Sequence, residues 1–193
     1  MSMMSVKGFD AFYGRSQALR NFSIELKSGE VLCLLGRNGA GKTTALKTIM
    51  GTVRPAAGTL MLDGKDLTGV PAKDIPRAGI GYVPQGRRLF TELTVWENLE
   101  IGLWTRNTDV SALDHALELF PVLKERMTQR SGTLSGGEQT MLAMARAMCI
   151  NPSVIMLDEP TEGLMPSAIA GIRDAVIRLR DEGVAVLLVE QRV

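Results

Sequence analysis

Short apolar runs alternate with amphipathic stretches along the chain, and their periods predict its elements. Residues 31–35, 80–83, 154–157 and 184–189 are continuous apolar runs, too short for helices, of the kind buried on both faces in a parallel sheet. Between them, residues 43–50, 138–149 and 167–181 repeat their apolar positions at helical spacing. Alternation of strands and helices argues for an α/β core. The early segment differs. Residues 6–13, 22–26 and 59–62 are half-polar strands with turns at Lys27-Ser28-Gly29 and Asp63-Gly64, which predicts an antiparallel sheet beside the core. From 86 to 150 the pattern turns mostly helical and includes Trp96 and Trp104, as expected of a helical lobe inserted into the core. No internal repeat or low-complexity segment interrupts this order.

Composition narrows the class. With 193 residues, 45% of them hydrophobic and 22% charged, the chain has the make-up of one folding unit carrying an inserted subdomain, and whole-chain disorder is excluded. The 22 Lys and Arg nearly cancel 21 Asp and Glu, so bulk charge argues against a polyanion binder and no nucleic-acid partner is expected. The longest apolar run, 184–189, is far short of the roughly 20 residues that cross a bilayer. Residues 1–10 lack the apolar stretch of a secretory signal, which predicts a protein that stays in the cytosol. Cys33 and Cys149 sit among apolar neighbours without CxxC spacing and read as buried thiols.

Chemistry enters at Gly36-Arg37-Asn38-Gly39-Ala40-Gly41-Lys42-Thr43, followed by Thr44. This G-x-x-x-x-G-K-[ST] segment lies directly between a predicted strand and a predicted helix. Glycines let the backbone curl so that N–H groups face phosphate oxygens, and the helix N-terminus adds partial positive charge. Lys42 supplies a full charge for the β- and γ-phosphates, and the Thr43 hydroxyl is a ligand for Mg²⁺. Downstream, the apolar run 154–157 delivers Asp158 to the carboxyl end of the sheet near that ion, and Glu159, pointing elsewhere, suits the polarisation of an attacking water. A third segment, Leu134-Ser135-Gly136-Gly137-Glu138-Gln139, opens a helix with a hydroxyl and with glycines that leave N–H groups open, forming a second anion site. Two anion sites so far apart in sequence either meet within one chain or hold a nucleotide between two copies. The residues alone leave both open.

Together the three segments resemble the ATP-binding cassette (ABC) ATPases, and the resemblance covers essentially the whole chain. It implies a P-loop NTPase core with a parallel sheet, an N-terminal antiparallel β subdomain and an inserted helical subdomain (86–150) within one ATP-binding domain, 1–193. It further implies ATP and Mg²⁺ as cofactors, and a head-to-tail homo- or heterodimer in which each ATP lies between one protomer's Lys42 loop and the other's Ser135, Gly136, Gly137 and Glu138. Tyr13 falls where such cassettes stack an aromatic on adenine, with a core aromatic as the alternative. Gln85, in Tyr82-Val83-Pro84-Gln85, matches the glutamine loop, whose side chain reaches Mg²⁺ or the attacking water.

Two positions depart from the commoner pattern: Met165 stands where many members carry an aspartate, and Gln191 where most carry the histidine that senses the γ-phosphate. An amide still donates a hydrogen bond there but carries no proton charge. Gln85 to Arg88, Glu162-Gly163-Leu164 and Val189-Glu190-Gln191 together resemble the ATPase subunits of branched-chain amino acid importers, with urea and short-chain amide importers as close relatives. The implied partners are a second ATPase subunit, two integral membrane permeases and, indirectly, a solute-binding protein, at the cytoplasmic face of the membrane. The alternative class is a non-transport ABC nucleotide switch. His115 reads as a solvated or packed residue, the Arg87-Arg88 pair as a solvated pair or a contact for a partner's acidic groups, and Met141, Met144 and Met148 as core. Cassettes of this type continue past the last strand, so the end at Val193 reads as C-terminal truncation.

Overall fold

The computed structural model describes residues 2–191, so the expectation attached to Val193 lies outside the described residues. In chain order the elements are β1 (Ser2–Tyr13), β2 (Ser16–Lys27), β3 (Val31–Leu35), α1 (Lys42–Ile49), β4 (Ala57–Leu62), β5 (Lys65–Asp66), α2 (Ile75–Ala78) and β6 (Ile80–Val83). Then follow α3 (Val95–Arg106), α4 (Val110–Leu119), α5 (Gly136–Met148), β7 (Val154–Asp158), α6 (Pro166–Asp181) and β8 (Ala185–Glu190). Two short 3-10 turns, Pro121–Arg126 and Ser131–Thr133, lead into α5.

Two sheets result. One is antiparallel with order β2-β1-β4-β5, and the other is parallel with order β3-β8-β7-β6. The antiparallel strands β1 and β2 run well beyond the alternating stretches that predicted them, because bulges interrupt their period. The β1–β2 register shifts between Val6 and Phe9 and again between Phe9 and Ala11, which scrambles the two-residue rhythm without breaking the pairing.

The parallel sheet separates two apolar clusters. Along β7, Ile155 and Leu157 point into a core shared with α5 and α6, while Val154 and Met156 point into a second core with α1 and the antiparallel sheet. All of β7 is buried, as its two-sided apolar run requires. The strand β3 departs from that expectation. It lies at the edge of the sheet, and although Leu32 and Leu34 pack into the second core, Cys33 and Leu35 on the other face are exposed. Only Cys149 is therefore a buried thiol, and its burial pushes it up to about 12.

The helical lobe shares its core with the sheet. Val95 and Leu99 of α3, Leu113 and Ala116 of α4, and Leu142 and Met144 of α5 belong to the same cluster as Ile155 and Leu157. Met144 and Met148 are core residues as expected. A capping box starts α3, where the Thr94 hydroxyl accepts from the Glu97 N–H and the Glu97 carboxylate accepts from the Thr94 N–H. His115 Nε2 lies 2.7 Å from Glu182 Oε2, joining α4 to the end of α6.

Helix α3 crosses α5 at Gly102, where an added Cβ would stand 2.4 Å from the Arg146 carbonyl oxygen and 2.8 Å from the Cys149 Cβ. Gly102→Ala is thus expected to lower the urea midpoint of unfolding. Overpacking costs about 1 to 3 kcal/mol, of which the better helix propensity of alanine returns only about 1. A raised midpoint would mean that the two helices separate without cost.

Candidate functional site

The loop between β3 and α1 builds the first half of the site. Gly41, at φ 88°, is the N-cap of α1 and offers no side-chain cap, so the first N–H groups of the helix keep their donors for an external acceptor. No acidic residue occupies the first turn to compete with an anion. The left-handed turn and the tight fit both require glycine, since a Cβ at Gly41 would meet the Ala18 carbonyl oxygen at 2.8 Å. The Lys42 side chain is 7% exposed, and its Nζ donates to the carbonyls of Gly36 (2.6 Å) and Arg37 (3.2 Å). A cavity of about 400 Å³ opens over this loop, lined by Asn38, Gly39, Ala40, Gly41, Lys42, Thr43 and Thr44, by Gln17 and Ala18 of β2, and by Gln85 and Glu159.

The second half comes from the ends of three parallel strands. At the end of β7 Asp158 is 1% exposed; its Oδ1 accepts from the Thr43 hydroxyl at 3.3 Å and its Oδ2 from the Tyr82 hydroxyl at 3.4 Å. Burial, aided by the neighbouring Glu159 charge, raises this carboxyl above its ordinary value against the pull of Thr43, Tyr82 and Lys42. Burial and Asp158 likewise push the Tyr82 phenol upward.

Glu159 adopts φ 51°, a left-handed conformation that costs a non-glycine residue of order 1 kcal/mol or more and persists only where its surroundings hold it. They do so here. Its N–H donates to the Val189 carbonyl at 2.9 Å, and its Oε1 lies 3.8 Å from Lys42 Nζ. Its Oε2 accepts from Gln85 Nε2 at 3.1 Å and from Gln191 Nε2 at 2.7 Å. Gln85 Nε2 also donates to Glu162 Oε2 at 3.0 Å.

Lys42, Thr43, Gln85, Asp158, Glu159 and Gln191 thus meet in one place. Tyr13, at the tip of the β1–β2 hairpin, is half exposed instead of in the core; it pairs with Ser16, and the next residue of β2, Gln17, lines the cavity.

The Ser135 segment does not join them. Ser135 caps α5 through a capping box with Glu138: its hydroxyl accepts from the Glu138 N–H, and the Glu138 carboxylate accepts from the Ser135 N–H at 2.8 Å. The hydrogen bonds from Ser135, with the Arg126 guanidinium at 2.8 Å, hold the Glu138 carboxyl below its usual range. Ser135, Gly136 and Gly137 border a different cavity of about 340 Å³ with Leu164 and Met165, which no residue of the Lys42 loop lines. Within one chain the Lys42 loop and the Ser135 segment line separate cavities.

Three contacts escaped the sequence. Tyr82 reaches Asp158 because its strand β6 pairs with β7 in parallel register. Glu162, in the turn after β7, accepts from Gln85, in the loop after β6. Arg87 is not a solvated charge, since its guanidinium donates to Thr140 Oγ1 (2.9 Å) and Gln139 Oε1 (3.0 Å) of α5. No local pattern marks any of the three.

A lysine sunk in a glycine loop, a Thr–Asp oxygen pair and a caged carboxylate beside them have the arrangement of a P-loop nucleotide site. The ABC transporter family matches residues 19–162, and the chain belongs to that family. It is 48% identical over 191 residues to the high-affinity branched-chain amino acid transport ATP-binding protein BraG of Pseudomonas aeruginosa, covering 98% of this chain and 82% of that one. It is 38% identical over 194 residues to a probable branched-chain amino acid transport ATP-binding protein, LivF, of Archaeoglobus fulgidus, covering 99% and 82%. Among solved structures, a nucleotide-free ATP-binding cassette from an ABC transporter superposes with a TM-score of 0.87 at 28% identity, covering 100% of this chain and 82% of that one. The dimeric structure of the bacterial ABC transporter cassette MJ0796 gives 0.87 at 26% identity, covering 98% and 88%. The chain is accordingly an ABC ATPase, with the parallel core and antiparallel subdomain that its sequence predicts. Among the described residues no helix is long and apolar enough to cross a membrane.

Proposed function

We propose that this chain is the energy-coupling ATPase of an importer for branched-chain or other hydrophobic amino acids. It would work as one of two ATPase subunits beneath two membrane permeases, at the cytoplasmic face of the membrane, with a solute-binding protein feeding the permeases. The observation that carries the solute class is the 48% identity to BraG along 98% of the chain.

The geometry supports a division of labour. The N–H groups at the start of α1 and the Lys42 ammonium bind the β- and γ-phosphates. Asp158 and the Thr43 hydroxyl, with the carbonyl oxygen of Gln85, fit Mg²⁺, which prefers oxygen donors and keeps several waters. When bound, the ion neutralises charge developing on the transferred phosphoryl group. Glu159 accepts a proton from the attacking water once Lys42 turns from its carboxylate to the phosphates, and Gln191 holds that carboxylate from the other side. The separation of the Ser135 cavity from the Lys42 cavity supports a nucleotide shared between two copies.

Cells lacking this chain are expected to lose saturable uptake of radiolabelled leucine, isoleucine and valine, regained with the wild-type chain and not with Glu159→Gln. Loss of urea uptake with intact leucine uptake would move the chain to the amide importers.

A further inference from the structure

We infer that Glu162 is a positioning residue for Gln85: with Glu159 it occupies both N–H bonds of the Gln85 amide and leaves the carbonyl oxygen as the end free to meet Mg²⁺. The inference rests on the reading of Gln85 as an ion ligand. A primary amide has two N–H donors and one carbonyl oxygen, and only the oxygen can bind a metal. Gln85 Nε2 lies 3.1 Å from Glu159 Oε2 and 3.0 Å from Glu162 Oε2, so each donor has a carboxylate. Reversing the amide would set its oxygen against two anions, which settles its orientation.

Glu159 alone holds that orientation poorly. Its Oε2 also serves Gln191, and its carboxylate must turn to water during hydrolysis, whereas among the described residues the Glu162 carboxylate serves Gln85 alone. The turn after β7 sets the position of Glu162. Its N–H donates to the Glu159 carbonyl at 3.3 Å, and the adjoining Thr161 hydroxyl donates to Glu190 Oε1 at 2.7 Å, tying the turn to the end of β8. Glu162 borders a separate cavity of about 370 Å³ behind Glu159, not the one over the Lys42 loop, so it acts through Gln85 and not on the nucleotide.

The test is a Mg²⁺ titration of fluorescent ATP-analogue binding to the purified full chain, comparing wild type with Glu162→Ala, Glu162→Gln and Gln85→Ala. Glu162→Ala is expected to raise the Mg²⁺ midpoint about five-fold, the worth of one hydrogen bond, while affinity measured without Mg²⁺ stays at the wild-type value. Glu162→Gln keeps an acceptor oxygen and should recover most of the shift. Glu162 is exposed, so equal melting temperatures are expected throughout. An unmoved midpoint in Glu162→Ala beside a shifted one in Gln85→Ala overturns the role of Glu162 alone. An unmoved midpoint in Gln85→Ala removes Gln85 as an ion ligand, and the inference falls with it. Equal weakening with and without Mg²⁺ in Glu162→Ala would show a general structural effect and also overturn it.

Discussion

Glu159→Gln is expected to slow ATP hydrolysis by at least about 10²-fold, the usual loss when a general base is removed, while nucleotide binding survives. The substitution preserves shape and one acceptor oxygen but cannot take a proton at neutral pH. It also removes the anion 3.8 Å from Lys42 Nζ, so the ammonium is freer to turn to the phosphates, and affinity should hold or rise. Because binding proceeds and hydrolysis stalls, an ATP-bound dimer should accumulate. Phosphate release, analogue binding and size exclusion on one preparation check all three outcomes. Normal turnover in the variant would transfer the role elsewhere.

The second large effect is expected at Lys42. Among the described residues it is the only cationic side chain lining the cavity over its loop, and Glu159 lies beside it. Lys42→Ala therefore removes the attraction for the triphosphate and exposes it to the Glu159 charge. Truncating one partner of a buried charge pair across a binding interface typically costs about 2 to 5 kcal/mol, so equilibrium binding of a fluorescent ATP analogue should weaken by at least about 30-fold. The variant also strands a buried carboxylate and should melt at a lower temperature. Adding Glu159→Gln is expected to restore the melting temperature without restoring binding, which separates lost folding from lost recognition. Tight binding by the double variant would remove Lys42 from the phosphate site.

The phosphate loop was legible because its requirements are local: a turn that glycines permit, a helix start and a lysine, placed after an apolar strand. Asp158 and Glu159 were legible for the same reason, since a buried strand dictates where its last residues emerge. Cys33 was misjudged because apolar neighbours in sequence do not reveal a strand's place in the sheet, and β3 lies at the edge. Arg87 looked like a surface charge until the loop after β6 brought it against Gln139 and Thr140. Gln191, expected beside the γ-phosphate, donates its amide to Glu159 in this structure, a partner that only the pairing of β7 with β8 brings within reach.

The division follows from range. Periodicity, turn chemistry and capping act over a few residues, so the sequence by itself determined the α/β alternation, the glycine turn into α1 and the acidic end of β7. Register, sheet order and helix crossings depend on contacts between segments many residues apart. They alone decided that Gln85, Glu159 and Gln191 form one hydrogen-bonded group, that Tyr82 and Thr43 share Asp158, and that the Ser135 motif faces a cavity of its own. A side chain's identity states what it can donate or accept; only packing settles which partner lies within reach.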